Sequence, residues 1–455
     1  MSQTIKLTKG FDINLAGKAA KVVSEAPKPE TFAIKPTDFP SITRPKLMVD
    51  EGDAVKAGTP LLFDKMTENV LYCSPVSGEI AQIKRGDKRK LLEIVILADK
   101  ENEYESFDKF SISDIRSGLS KEKALEQMLK AGVWPNVIQR PYGIVANPQD
   151  EPKAIFISAF DTHPLAPDYD FAYKGQEEAF QAGLEIIKKI TKGTVHLNVS
   201  ADNENSKMFS QAENVQINKF SGPHPAGNVG VQIHHLDPIG KGDIAWTVKP
   251  YGVIQIGKLF LEGRYDASKI IALTGSEVKE PKYYKTFSGA SIKNIIKDNI
   301  KGDHVRYVSG NPLTGERINA DGYLSFYDEQ ITVLPEGDFE ELLGWIKPTT
   351  KKLSFYRAIG LLSFLNKKKE YVLNTNTNGE ERAFVMTGRF EKVLPMDILP
   401  MYLFKAIMAE DFDEMEALGI LELVEEDVAL CEFIDVSKHD LQRILRTGIN
   451  LMING

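Results

Sequence analysis

Two cysteines, Cys73 and Cys431, are all that the 455 residues contain. One pair cannot build a disulfide framework, which fits a reducing compartment. Nor can two thiols alone hold an iron–sulfur cluster, which usually takes four thiolates. No stretch reaches the roughly 18 consecutive apolar residues that cross a bilayer. The first residues, MSQTIKLTKGFDINLAGKAAK, lack an apolar core ahead of a small-residue cleavage site, so no secretory signal is read there. A basic excess is missing too. Lys and Arg number 56 against 64 Asp and Glu, a formal charge of -8, which argues against a nucleic-acid surface. Internal repeats and low-complexity tracts are absent. What is present is an ordinary composition, 42% hydrophobic and 26% charged, in a chain long enough for more than one core. The expectation is a cytoplasmic protein, able to sit on a membrane through a partner.

Residues 1–105 read as β-rich, with short apolar segments between Gly, Pro and Asp turns, as in MVDEGDAVKAGTPLLF. The charged run at 98–110 reads as a linker. KEKALEQMLKAG places Ala124, Leu125, Met128 and Leu129 on one helical face, with Gly132 as the stop. AIFISAF (154–160) reads as a buried strand, residues 175–191 as a helix and TVHLNVS (194–200) as a second strand. That order is a βαβ unit with parallel strands. Residues 221–243 read as a long Gly/Pro/His loop. The stretch from 266 reads as a β-grasp-like domain with one short helix, and beyond about 340 the pattern is helical.

Three places carry candidate chemistry. VDEGDAVKAGTPLLFDKMTENVLYCSPVSGEI resembles the biotinyl/lipoyl hammerhead family, with Gly52-Asp53, Val55-Lys56, Gly58 and the Pro75–Gly78 turn matching. In such carriers the modified lysine stands eight residues before that proline. Here the position is Thr67, whose hydroxyl cannot form the amide, and Lys65 is expected off the hairpin tip. His224, His234, His235 and Asp237 form the second candidate, in the long loop. Neighbouring histidines point apart on a strand, which disfavours a metal needing about four convergent ligands, so the loop reads as a ligand mouth or a contact with another subunit. The third is KKLSFYRAIGLLSFLNKKK (351–369), too short to span a bilayer. It reads either as a core element with solvated ends or as a segment that docks on a membrane subunit or lipid, its lysines facing anionic headgroups.

The segments FSGPHPAGNVGVQIHHLDP, VIQIGKLFLEGRY and LPMDILPMYLFKAI, with the domain order, carry a resemblance over essentially the whole chain. It resembles the A-subunit family of the sodium-translocating NADH:quinone reductases. That family is itself related to the NADH-binding flavoprotein subunit of complex I and to the C subunit of the Rnf complex. The resemblance implies a multidomain α/β and α+β fold. Its parts are a barrel-sandwich, hammerhead-like domain (1–105), a Rossmann-like domain without its glycine-rich loop (106–265), a β-grasp, SLBB-like domain (266–340) and a helical, degenerate ferredoxin-like domain (341–455).

Beside the carrier lysine replaced by Thr67, two chemistries are lost against those relatives, the flavin and NADH cradle and cluster ligation. Trp134, Pro135, Asn136 and Val137 stand where glycines would let backbone N–H groups reach a phosphate. Asp161 and His163 stand near the acidic residues that the relatives place by the flavin, and read here as turn residues. Phe384, Thr387, Phe390 and Leu394, followed by Pro395, occupy one set of cluster-ligand positions. Glu425, Val428, Cys431 and Asp435 occupy the other, which makes Cys431 a buried structural thiol.

The resemblance therefore implies a subunit with no catalytic activity in isolation and no catalytic, metal-ligating or cofactor-binding residue. NADH, flavins, 2Fe-2S centres and quinone belong to the complex. Its expected partners are the membrane-embedded B subunit and the other subunits of the complex. Its expected place is peripheral, on the cytoplasmic side of the bacterial inner membrane, and a quinone contact is implied that no residue of the sequence fixes. An active complex I-type flavoprotein dehydrogenase and a biotin or lipoate carrier are the alternative readings.

Overall fold

The computed structural model describes residues 2–40, 42–203, 205–339, 351–355 and 369–455. Of the lysine-flanked segment, residues 356–368 lie outside the described residues.

Two small sheets build the N-terminal region. One has the strand order Thr31–Ile34, Leu91–Ala98, Gly78–Arg85, Ala54–Val55; the other runs Pro45–Leu47, Pro60–Asp64, Thr67–Cys73. Strand alternation turns Phe32, Ile80, Ile94 and Ile96 inward, all of them fully buried. The hairpin between Pro60–Asp64 and Thr67–Cys73 turns through Lys65 and Met66. Asp64 fixes it, accepting the backbone N–H of Thr43 (2.8 Å) and of Met66 (3.1 Å). This corrects one expectation: Lys65 is at the tip, and Thr67 opens the return strand. The two-residue turn places them, which a count back from Pro75 does not detect.

The first 25 residues reach further. Thr4–Lys6 pairs in parallel with Gln216–Ser221, and Ala20–Glu25 pairs in parallel with Lys282–Phe287. Each closes one edge of a larger sheet.

The first of these sheets has seven strands. Its centre is parallel, in the order Gln216–Ser221, Thr194–Ser200, Ala154–Ser158, Ala245–Val248. The expected βαβ unit is there, with Glu177–Ile190 as its helix. Helix Pro250–Glu262 packs beside it. Their backbones touch where glycines stand: a Cβ on Gly257 would lie 1.7 Å from the Ala179 carbonyl oxygen, and one on Gly183 would lie 2.0 Å from that of Val253. Val137–Arg140 adds an antiparallel strand beside Ala245–Val248. Just before it, Trp134 is fully buried, donates to the Ala146 carbonyl (2.7 Å) and meets Trp246 edge to face at 5.4 Å.

The 221–243 segment is not wholly a loop. It contains helix Val229–Leu236. Val231 packs into the C-terminal core, whereas Ile233 packs against Phe156 and Ala245 of the sheet. A helix buried on two sides carries no single apolar stripe, so its period is hidden in the sequence.

The second large sheet has six strands, with Ser268–Thr274, Lys282–Phe287, Val305–Ser309 and Gln330–Pro335 among them and helix Lys293–Ile296 across it. The C-terminal part is helical: Phe390–Val393, Pro400–Met408, Phe412–Ala417, Glu425–Ile434 and Leu441–Asn454. Phe390, Leu394, Val428 and Cys431 share its core. Cys431 is fully buried, and burial raises its thiol pKa far above the usual value. It is an inert packing group.

Candidate functional site

A cavity of about 1440 Å³ opens where these regions meet, lined by residues from Pro36 to Asn454. The turn after strand Ala154–Ser158 supplies its most reactive corner. Asp161 Oδ1 lies 2.6 Å from His163 Nδ1 and accepts the His163 backbone N–H at 2.8 Å. Burial opposes charge on both groups, but each is the other's counter-ion. Their attraction holds Asp161 below the usual carboxylate range and His163 above the usual imidazole value. His163 Nε2 is buried without a hydrogen-bond partner.

Behind it, His224 is almost fully buried and its ring lies 4.7 Å from that of His163, tilted by 51°. Burial and the neighbouring imidazole push the His224 pKa well down, so this ring is neutral. Its Nδ1 lies 3.1 Å from the Thr162 hydroxyl.

Glu329 lines the same cavity at 7% exposure. The Tyr173 hydroxyl donates to its Oε1, while Oε2 has no partner. Burial, reinforced by the Asp161 charge, pushes this carboxyl up to about 8, so it is protonated at neutral pH. Nearby, Lys269 donates to the carbonyls of Phe326 (2.6 Å) and Asp328 (3.1 Å), and burial pulls its amine down to about 7. The site thus pairs an oriented imidazole with a neutral carboxylic acid, two groups able to hold or pass a proton.

The far wall is ionic. Arg140 donates to Asp427 and Glu426, each at 2.7 Å, with Arg140 2% and Asp427 0% exposed in their side chains. Burial of Asp427 outweighs the pull of Arg140 and moves its carboxyl up to about 6. These pairs join the α/β sheet to the helix Glu425–Ile434.

The histidines singled out in the sequence do not converge. His224 stands behind His163. His234 Nδ1 meets Glu422 at 2.7 Å and its Nε2 accepts the Asp397 backbone N–H at 3.0 Å. His235 Nε2 donates to the Pro395 carbonyl at 2.8 Å. Both rings therefore dock helix Val229–Leu236 on the C-terminal helices. Asp237 ends that helix and pairs with Lys153 at 2.9 Å. Among the described residues, no group of three or more His, Cys, Asp or Glu is placed to hold a metal ion.

Sequence reasoning noted Asp161 and His163 as turn residues and missed Glu329, Arg140 and two further residues of the cavity lining, Lys249 and Tyr169. Only the Lys249-Pro250 step, a proline at a helix start, carried a local signal. The rest become a site through tertiary burial alone.

Comparison with known proteins adds the following. Three family profiles match: "NqrA N-terminal barrel-sandwich hybrid domain" over residues 5–99, "NqrA second alpha/beta domain" over 119–265 and "NQRA C-terminal domain" over 270–320. The A subunit of the Na(+)-translocating NADH-quinone reductase from Alcanivorax borkumensis is 38% identical, with 98% of each chain covered. Those of Yersinia pestis and Neisseria meningitidis are each 36% identical over 97% of this chain and 98% of theirs. Among solved structures, an air-oxidized NAD+-reducing [NiFe]-hydrogenase shares 11% identity at a TM-score of 0.38, covering 78% of this chain and 67% of that one. That likeness is too slight to carry an argument.

Proposed function

The chain belongs to the A-subunit family of the Na(+)-translocating NADH-quinone reductases, and from that premise we propose that it is the peripheral, cytoplasm-facing subunit that docks on the membrane-embedded B subunit of the complex and carries no redox group of its own. As a subunit of this oxidoreductase complex it works with other subunits of the complex. No helix among the described residues is long and apolar enough to cross a membrane, which is compatible with a peripheral place.

One observation carries the cofactor-free reading. Phe390, Leu394, Val428 and Cys431, four of the positions where a cluster-binding relative would need thiolates, pack into one closed core. Burying a further metal cluster there would require dismantling that core. Trp134 argues the same way against a phosphate cradle at residues 131–137, because an indole fills the place. We read the N-terminal sheets as hammerhead-like and the parallel sheet as Rossmann-like, and assign no residue to a quinone contact. The flavoprotein and carrier alternatives are not favoured.

The test is twofold. The purified chain should be colourless after desalting, and a reproducible flavin or iron–sulfur band would overturn the cofactor-free reading. Cross-linking in native membranes should join this chain to the B subunit; cross-links only to other subunits would overturn that docking partner.

A further inference from the structure

The cavity lies at one special place in the seven-stranded sheet. From Ala154–Ser158 the chain winds outward through Thr194–Ser200 to Gln216–Ser221. It then returns through Val229–Leu236 to Ala245–Val248, on the other side of the first strand. Alternation separates the two faces. Ile155, Ile157 and Trp246 pack with Leu184 and Ile256 of the two long helices, whereas Ala154, Phe156 and Ala245 pack with Ile233. The strand order therefore reverses between Ala154–Ser158 and Ala245–Val248. In open α/β sheets the crevice outside the carboxyl ends at such a reversal is where ligands bind. Ser158 and Val248, the last residues of the two strands, both line the cavity.

Two helices begin at this crevice. Val229–Leu236 follows Asn228 and Pro250–Glu262 follows Lys249, and neither preceding side chain caps its helix. Gly227, Val229, Lys249 and Tyr251 of these starts line the cavity. Free first-turn N–H groups and the helix dipoles favour an anion there.

The side chains agree. Asp161 is balanced by His163, and Arg140 and Arg446 are taken up by Glu426, Asp427 and Glu425. Asp38 is paired with Lys35 at 3.1 Å. Lys249 is not taken up in this way, nor are Arg44 and Lys90 elsewhere in the lining. Its ammonium donates to the Tyr327 carbonyl at 3.1 Å, and no carboxylate among the described residues ion-pairs with it. Asp328 of the same wall accepts the Ser309 hydroxyl at 2.6 Å and, among the described residues, stands outside any ion pair. Two further side chains of the wall, His163 at 9% exposure and Glu329 at 7%, keep a buried polar atom without a partner. Opposite, Phe39, Phe326 and Tyr327 pack ring on ring at 4.8 and 4.9 Å to form an aromatic wall.

We propose that this cavity binds a phosphate-bearing planar ring, the chemistry shared by purine and flavin mononucleotides. The phosphate sits at Lys249 between the two helix starts and the ring lies against Phe39, Phe326 and Tyr327. The site does not depend on the missing glycine loop at 131–137, because the first-turn N–H groups of Val229–Leu236 and those that follow Pro250, which has none itself, supply the anion-binding donors. It takes an exchanging ligand, so a chain that purifies without a resident redox group is compatible with it, and it stands or falls separately from membership of the complex.

The experiment titrates the purified full chain with AMP by calorimetry and with FMN by fluorescence anisotropy, using riboflavin as the phosphate-free control. Saturable binding of either nucleotide is expected, and which one binds identifies the source. Lys249→Met should weaken it by about tenfold or more, as loss of a charge-assisted contact does. Lys249→Arg should restore it, with thermal stability unchanged in both variants. The proposal is overturned if neither nucleotide saturates, if riboflavin binds as tightly as FMN, or if Lys249→Met leaves affinity unchanged. Should Lys249→Met fail to fold, competition of inorganic phosphate with the nucleotide on the wild-type chain decides, and no competition overturns it.

Discussion

Asp161 holds His163 through two contacts from one oxygen, 2.6 Å to the ring Nδ1 and 2.8 Å to the backbone N–H. The carboxylate fixes both the orientation of the ring and its proton. Because His163 titrates above its usual value, the pair stabilises the fold fully below the ordinary imidazole pKa. That contribution is lost as pH rises through the folded value. Asp161→Asn should lower the His163 pKa, read by NMR titration of the imidazole. The stability gap between wild type and variant should shrink as the pH is raised through the wild-type value. An unshifted His163 titration contradicts the pairing.

Glu329 is a carboxyl whose folded value, about 8, lies above its ordinary value of 4.5. The neutral acid is the form that fits, so its contribution is complete below about pH 4.5 and is lost as pH rises through 8. Wild-type stability should fall between about pH 4.5 and 8, with a slope of up to about 1.4 kcal/mol per pH unit from this one group, and that slope should level off above 8. Glu329→Gln, a permanent mimic of the neutral acid, should remove that part of the slope. Denaturant unfolding between about pH 5 and 9 measures it, and identical slopes below pH 8 would contradict the assignment.

Arg140 and Asp427 join the parallel sheet to the C-terminal helices through a buried pair at 2.7 Å. Arg140→Met leaves the fully buried Asp427 without its counter-ion, a loss of about 3–5 kcal/mol for a broken buried pair. The double variant Arg140→Met/Asp427→Asn should recover part of it, because the uncompensated charge is gone. Chemical unfolding of the single and double variants checks this. A loss below about 1 kcal/mol in the single variant would show that the pair is dispensable.

Gly257 and Gly183 let helices Glu177–Ile190 and Pro250–Glu262 cross backbone to backbone. Gly257→Ala must push the helices apart, since its Cβ would meet the Ala179 carbonyl oxygen at 1.7 Å. Overpacking of this kind costs about 1–3 kcal/mol or more, far above the gain from Ala in an open helix. A thermal melt of Gly257→Ala unchanged from wild type would refute the close crossing.

How much was legible in the sequence follows burial pattern. Glu177–Ile190 and its flanking strands were readable because each buries one face or a short continuous run. Val229–Leu236 was not, because Val231 and Ile233 face two different cores, and two of the four loop candidates, His234 and His235, proved to be contacts with the C-terminal part. The Lys65 turn was misplaced because register depends on the two-residue hairpin, which the distance to Pro75 does not encode. Within the site, Asp161 and His163 stood out only as turn residues. Their significance comes from Glu329, more than 150 residues away in the chain, and from Lys249 across the switch in strand order. Non-local burial of this kind leaves no local signature in a single sequence.

Membership of the complex is tested most directly by affinity isolation of this chain from native membranes, with every co-purifying protein identified and quantified. The account predicts recovery with the membrane-embedded B subunit and the remaining subunits of the Na(+)-translocating NADH-quinone reductase in fixed ratio. Recovery of the chain alone, with no membrane partner, would contradict it.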